Sequence, residues 1–116
     1  MKKQIIQVRQ FSKAIDSLLK KRLLLAEDFN DFKKNLTENP DTGDRIVGTG
    51  GVRKARLKSA FRGKSGGFRV CYYHITQKGK IYLLLIYAKN IQEDLTSEDK
   101  KILKELVNML QEASNE

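Results

Sequence analysis

Apolar positions change their spacing along this chain, and the changes mark out its elements. Residues 4–9 alternate, with Ile6 and Val8 on one side, which predicts a short first strand. Ser12 is placed to cap a helix through Ile15, Leu18 and Leu19, whose i, i+3, i+4 spacing makes one apolar stripe. After the basic run 20–22, the residues Leu24, Leu25, Phe29, Phe32 and Leu36 predict a second helix. Asn39-Pro40 closes it, because proline disfavours helical geometry in the residue before it. The two segments make a helical hairpin.

Residues 41–44 and 48–51 read as turns. From Val52 the period becomes two: Val52, Lys54, Arg56 and Lys58 share one face, and Arg53, Ala55 and Leu57 the other. Three glycines and two basic residues in 59–67 predict a loop, followed by strands over 68–76 and 80–88 around a turn at Lys78-Gly79. The nearly unbroken apolar run in the last strand predicts burial on both faces, hence a central position. Thr96 with Asp99 resembles a capping box that opens a helix with the stripe Ile102, Leu103, Leu106, Val107 and Leu110. The expected class is α+β, one domain over 1–116. It has an antiparallel sheet of about four strands, an N-terminal helical hairpin and a C-terminal helix, with helices mostly on one side.

No apolar run nears the roughly 20 residues that span a bilayer, so no membrane role is expected. Residues 1–10 lack the apolar stretch and cleavage site of a secretion signal. Cys71 is the single cysteine and lies in an apolar run, which gives neither a disulfide framework nor a metal quartet. A reduced, cytoplasmic protein is expected, with Cys71 in the core.

Charge sharpens this picture. Between Asp44 and Glu93 lie eleven Lys and Arg and no acid, while the rest of the chain holds 12 basic against 14 acidic residues. The formal excess of +9 therefore falls on the segment that reads as the sheet. Cations concentrated there present a surface to a polyanion, and nucleic acid is the expected ligand. On a sheet face left open to solvent, Lys54, Arg56 and Lys58 would stand in a row beside Arg69. Lys89 would close the last strand, and Arg62 and Lys64 would overhang on the loop.

Such a cluster suits metal-free RNA cleavage, in which a 2′-hydroxyl attacks its own phosphate and cations stabilise the phosphorane. Lys54, crowded by Arg56 and Arg69, is the candidate for proton transfer; the two arginines clamp phosphate in forked hydrogen bonds. Lys89 completes the catalytic candidates. Arg53, Lys58, Arg62, Lys64 and Tyr73 are the candidate RNA contacts, Tyr73 because it shares a face with Arg69 and offers a stacking surface. His74 falls on the opposite parity, the packed side. The lack of acids argues against a two-metal nuclease, so no metal or other cofactor is expected.

Three strings carry a resemblance. They are Gly48-Thr49-Gly50-Gly51-Val52-Arg53-Lys54-x-Arg56, Gly63-Lys64-x-Gly66-Gly67-x-Arg69-Val70-x-Tyr72-Tyr73, and Tyr82-Leu83-Leu84-x-Ile86-Tyr87-x-Lys89-Asn90. Together they resemble the HigB branch of the RelE-like toxins. The resemblance implies a type II toxin that enters the A site of the 70S ribosome and cleaves mRNA there. The products end in 2′,3′-cyclic phosphate, and no metal takes part. It places the family's basic site residues on Lys54, Arg56 and Arg69, with Lys89 and Asn90 near the end of the last strand. RelE has an arginine where Asn90 stands here and a catalytic tyrosine around Asp94 to Thr96, and this chain has neither. The implied partner is a cognate HigA-like helix-turn-helix antitoxin, with DNA met only through that complex.

Two other classes fit the charge. One is an RNA- or ribosome-binding module without catalysis. The other is a DNA-binding regulator, disfavoured because the basic residues lie on strands and loops rather than on a recognition helix.

Overall fold

A computed structural model describes residues 3–59, 67–89, 91, 92 and 94–114. The order is β1 (Gln4–Gln7), α1 (Arg9–Lys20), α2 (Ala26–Glu38), β2 (Asp44–Arg45), β3 (Arg53–Leu57), β4 (Phe68–Ile75), β5 (Lys80–Ala88) and α3 (Ser97–Ser114). This is the α+β fold expected, with a fifth strand of two residues. The sheet order is β1-β5-β4-β3-β2. All pairs are antiparallel except β1 with β5, which is parallel and joins elements separated by the helical hairpin and three strands. β5 is an interior strand, covered on both faces as its apolar run predicted, while the central place in the order falls to β4.

The hairpin forms where the stripes predicted, with Phe11 and Ile15 of α1 and Phe29, Phe32 and Leu36 of α2 buried. α1 begins three residues before Ser12, after Val8, so Ser12 lies inside the helix. Its hydroxyl donates to Gln7 Oε1 at 3.0 Å. At the other end, Arg22 takes a left-handed conformation with φ +58°. The N–H of Leu23 then reaches Leu18 O, and that of Arg22 reaches Leu19 O, which closes the helix with a Schellman motif built on a non-glycine residue.

One expectation is corrected. The helices do not gather on one side of the sheet. α1 and α2 cover one face, against Ala55, Leu57, Phe68, Val70, Tyr72, Ile81 and Leu83. α3 covers part of the other, where Leu103 and Val107 pack on Val52, Cys71, Leu84 and Tyr87. The register explains how β5 serves both layers. Tyr72 stands opposite Leu83 and Cys71 opposite Leu85, so Leu84 is an extra residue in a β-bulge. The expected capping box is present: Asp99 N donates to Thr96 Oγ1, and Thr96 N donates to Asp99 Oδ2, both at 3.0 Å. Among the described residues no helix is long and apolar enough to cross a membrane.

Candidate functional site

The site is built on the α3-covered face, at the end of β3, β4 and β5 that leads into residues 91–96. Arg56 pairs with Arg69 across the β3–β4 ladder, and Arg69 pairs with Tyr87 across β4–β5. Side chains of directly paired residues share a face, so these three form one rung across the sheet. The adjacent rung is Lys54–Cys71–Leu85. The sheet thus brings Lys54, Arg56 and Arg69 together as expected. β3 is held at this position by the turn before it. Thr49, fully buried, donates to Ile46 O at 2.7 Å and accepts from Val52 N at 3.2 Å.

The face is not free of acid, which corrects the sequence reading. Asp94 Oδ1 lies 3.6 Å from Lys54 Nζ. The same oxygen accepts the Leu95 N–H at 2.8 Å, and that bond, followed by the Lys54 charge, holds the carboxyl below its usual range. Gln92 Nε2 bridges Asp94 O and Asp99 Oδ2, each at 2.8 Å, and fixes the turn. Asp44 is the cross-strand neighbour of Lys54 on β2. Lys54 therefore stands between two acids while Arg56 and Arg69 face each other. Beneath them lie two buried weak acids. Burial pushes the Cys71 thiol up to about 12, so it is an inert core group. Burial also raises the Tyr87 phenol to about 12, and its hydroxyl has no hydrogen-bond partner.

The remaining candidates divide. Lys89 follows β5, and its N–H donates to Gly67 O at 3.1 Å, which anchors it beside Arg69's strand. Arg56 and Lys58, at the sheet edge, also line a cleft of about 390 Å³ against α2, shared with Asp28, Asp31, Phe32 and Leu36. Tyr73 lies on the α3 face, its hydroxyl accepting from Gln111 Nε2 at 2.9 Å and its ring packed on Gly51. Arg62, Lys64 and Asn90 lie outside the described residues.

Arg53 sits on the opposite face, where the strand's alternation puts it. Its Nη1 donates to Gly43 O at 2.7 Å and to Asp41 O at 3.2 Å. There it joins a cluster under the end of α2. Tyr72, buried, donates to Pro40 O at 2.8 Å and accepts from Gly43 N at 2.9 Å. His74 Nδ1 lies 3.3 Å from Asp41 Oδ1, so it is on the packed side as expected. Gly43 is required here, since a Cβ would fall 2.8 Å from Lys54 O and 2.9 Å from the Tyr72 hydroxyl. Among the described residues no three His, Cys, Asp or Glu side chains are grouped to hold a metal ion.

The sequence reading missed two residues of this site. Asp94 lies six residues past the last strand, where no periodicity reaches. Tyr87 was legible as a neighbour of Arg69 only if the bulge at Leu84 was known, because the extra residue resets the parity of β5.

Comparison with known proteins bears on the family and the fold. A family model described as the RelE toxin of the RelE/RelB toxin–antitoxin system matches residues 3–116. Among solved structures, the chain is similar to a double arginine-to-alanine mutant of the E. coli toxin RelE in the free state. The two share 18% identity with a TM-score of 0.51, over 80% of this chain and 90% of that one.

Proposed function

Since this chain belongs to the RelE toxin family, the toxin half of a toxin–antitoxin system, we propose that it arrests translation by cutting mRNA on the ribosome. The reading is a metal-independent endoribonuclease of HigB type. The observation that carries it is the pairing of Arg56 with Arg69 next to Lys54 on one sheet face. Two guanidinium-bearing residues on one rung can hold one anion from two sides, and a phosphorane carrying two negative charges is the strongest such anion on the reaction path.

In this mechanism the ribose 2′-oxygen bonds to the adjacent phosphorus, the bond from phosphorus to the 5′-oxygen breaks, and a 2′,3′-cyclic phosphate remains. Arg69 and Arg56 hold the non-bridging oxygens through the transition state. Lys54 protonates the departing 5′-oxygen, and Lys89 adds positive charge from the end of β5. The 2′-hydroxyl proton passes to a base outside these four residues: Lys64 or a group of the ribosome. Lys58, Arg62, Lys64, Tyr73 and Asn90 would contact the flanking RNA. Arg53, committed to Asp41 and Gly43, would act by holding the β2–β3 turn.

The partners in this reading are mRNA in the ribosomal A site and a helix-turn-helix antitoxin of HigA type, with DNA bound only through the complex. The α1–α2 hairpin and α3, both less basic than the site, are the surfaces on which the antitoxin would sit. Induced expression with mapping of mRNA 5′ ends tests the reaction. New ends within translated regions are expected. Arrest of translation with transcripts intact would replace this reading with that of a ribosome-binding module.

A further inference from the structure

Among the described residues, two buried side-chain atoms lack a hydrogen-bond partner: His74 Nε2 and the Tyr87 hydroxyl. His74 is engaged through its other nitrogen, by Asp41. Tyr87 has no such tie. It is 9% exposed and stands on the rung of Arg69 and Arg56. Burying a hydroxyl without a partner costs stability, and phenylalanine would fill the same space without that cost. The groups that bear on the hydroxyl electrostatically are Cys71, Asp94, Arg69 and Asp99. With its acidity suppressed to about 12 by burial, the phenol keeps its proton and serves as a hydrogen-bond donor near neutral pH.

A donor without an acceptor, on one rung with Arg69 and Arg56 and next to the rung of Lys54, is placed to meet an oxyanion. Part of that place is taken by Asp94. Its carboxylate rests on Lys54 at 3.6 Å, with a side chain 71% exposed, and an ion pair so open to water is weak. We propose that Tyr87 donates a hydrogen bond to a non-bridging phosphate oxygen of RNA, in an anion subsite completed by Arg69 and Lys54, from which Asp94 is displaced. The neighbouring Leu95 belongs to the same α3-side core cluster as Tyr87, so in this proposal displacement of Asp94 would also open the way to the hydroxyl. The inference rests on the RNA-cleaving reading for its ligand, but the subsite is tested without cleavage.

The probe is a 2′-O-methyl RNA oligonucleotide, which has the phosphates but no attacking hydroxyl. Tyr87→Phe should weaken its binding by about tenfold to a hundredfold, the effect of losing a hydrogen bond to a charged group. Its thermal midpoint should hold or rise, because no protein partner is lost. Asp94→Asn should tighten binding by roughly threefold or more, since a competing charge is removed. Binding of Tyr87→Phe within twofold of the unsubstituted protein overturns the proposal, as does failure of the unsubstituted protein to bind. If Tyr87→Phe folds poorly, Asp94→Asn decides alone, and unchanged affinity overturns it. Tight binding by a protein that leaves translated mRNA intact instead refutes the nuclease reading and retains the subsite.

Discussion

Arg69 stands directly across the β3–β4 ladder from Arg56, so two guanidinium-bearing residues occupy one cross-strand pair. Like charges in that position work against the sheet by a few tenths to about 1 kcal/mol. Arg69→Ala should therefore abolish growth arrest while stability holds or rises by up to about 1 kcal/mol. Growth on induction and a urea melt measure the two halves. Retained toxicity at a normal protein level contradicts the site.

Lys54→Ala separates chemistry from docking. Single-turnover cleavage of ribosome-bound mRNA should fall by roughly 100-fold, the low end of what one positioned proton-transfer group contributes. Cosedimentation with ribosomes should change much less. Equal losses in both assays would make Lys54 a docking residue.

Two tyrosines on neighbouring strands should respond in opposite ways to loss of the hydroxyl. Tyr72→Phe leaves the Gly43 N–H and the Pro40 carbonyl without their partner, and should cost about 2 kcal/mol in chemical denaturation. Tyr87→Phe breaks no such bond and should cost nothing. A loss at position 87 matching that at 72 would mean that the Tyr87 hydroxyl has a protein partner after all.

The α3 capping box gives an acid-dependent term. Thr96→Ala should lower stability by about 1 kcal/mol at neutral pH. The Thr96 N–H, first among its neighbours, holds the Asp99 carboxyl below the usual carboxylate range. A carboxyl with a depressed folded value stabilises the fold above its unfolded pKa, and that contribution disappears as pH falls through the folded value. Stability should thus drop as pH falls below about 4, and less steeply in Asp99→Asn. Identical acid limbs would rule out the box as a source of that slope.

Arg22→Gly should stabilise the protein by about 0.5–1 kcal/mol, because glycine adopts the left-handed end of α1 without the side-chain penalty. Thermal melts of the two forms check it. A lower midpoint would show that the arginine side chain contributes more than its backbone conformation costs.

Periodicity made the elements legible, and register decided what they share. The stripe of Phe29, Phe32 and Leu36 is a local property, so α2 could be read directly. Lys54, Arg56 and Arg69 were legible as one face because alternation survives along β3 and the adjoining part of β4. The place of α3 was not, since its single stripe fits either side of a sheet. Nor was the Asp94–Lys54 contact, which joins residues forty apart through a turn that no local pattern describes. Arg53 illustrates the limit of counting charge: it belongs to the basic block by composition and to the Asp41–Gly43 turn by direction.

The parallel pairing of β1 with β5 has a consequence for synthesis. Ile5 finds its neighbour Ile81, and Gln7 finds Leu83, only when most of the polypeptide has been made. Contacts so distant along the chain form late and slowly. The parallel edge of the sheet therefore closes only after β5 has been made, and until then β1 and α1 lack the strand they rest on.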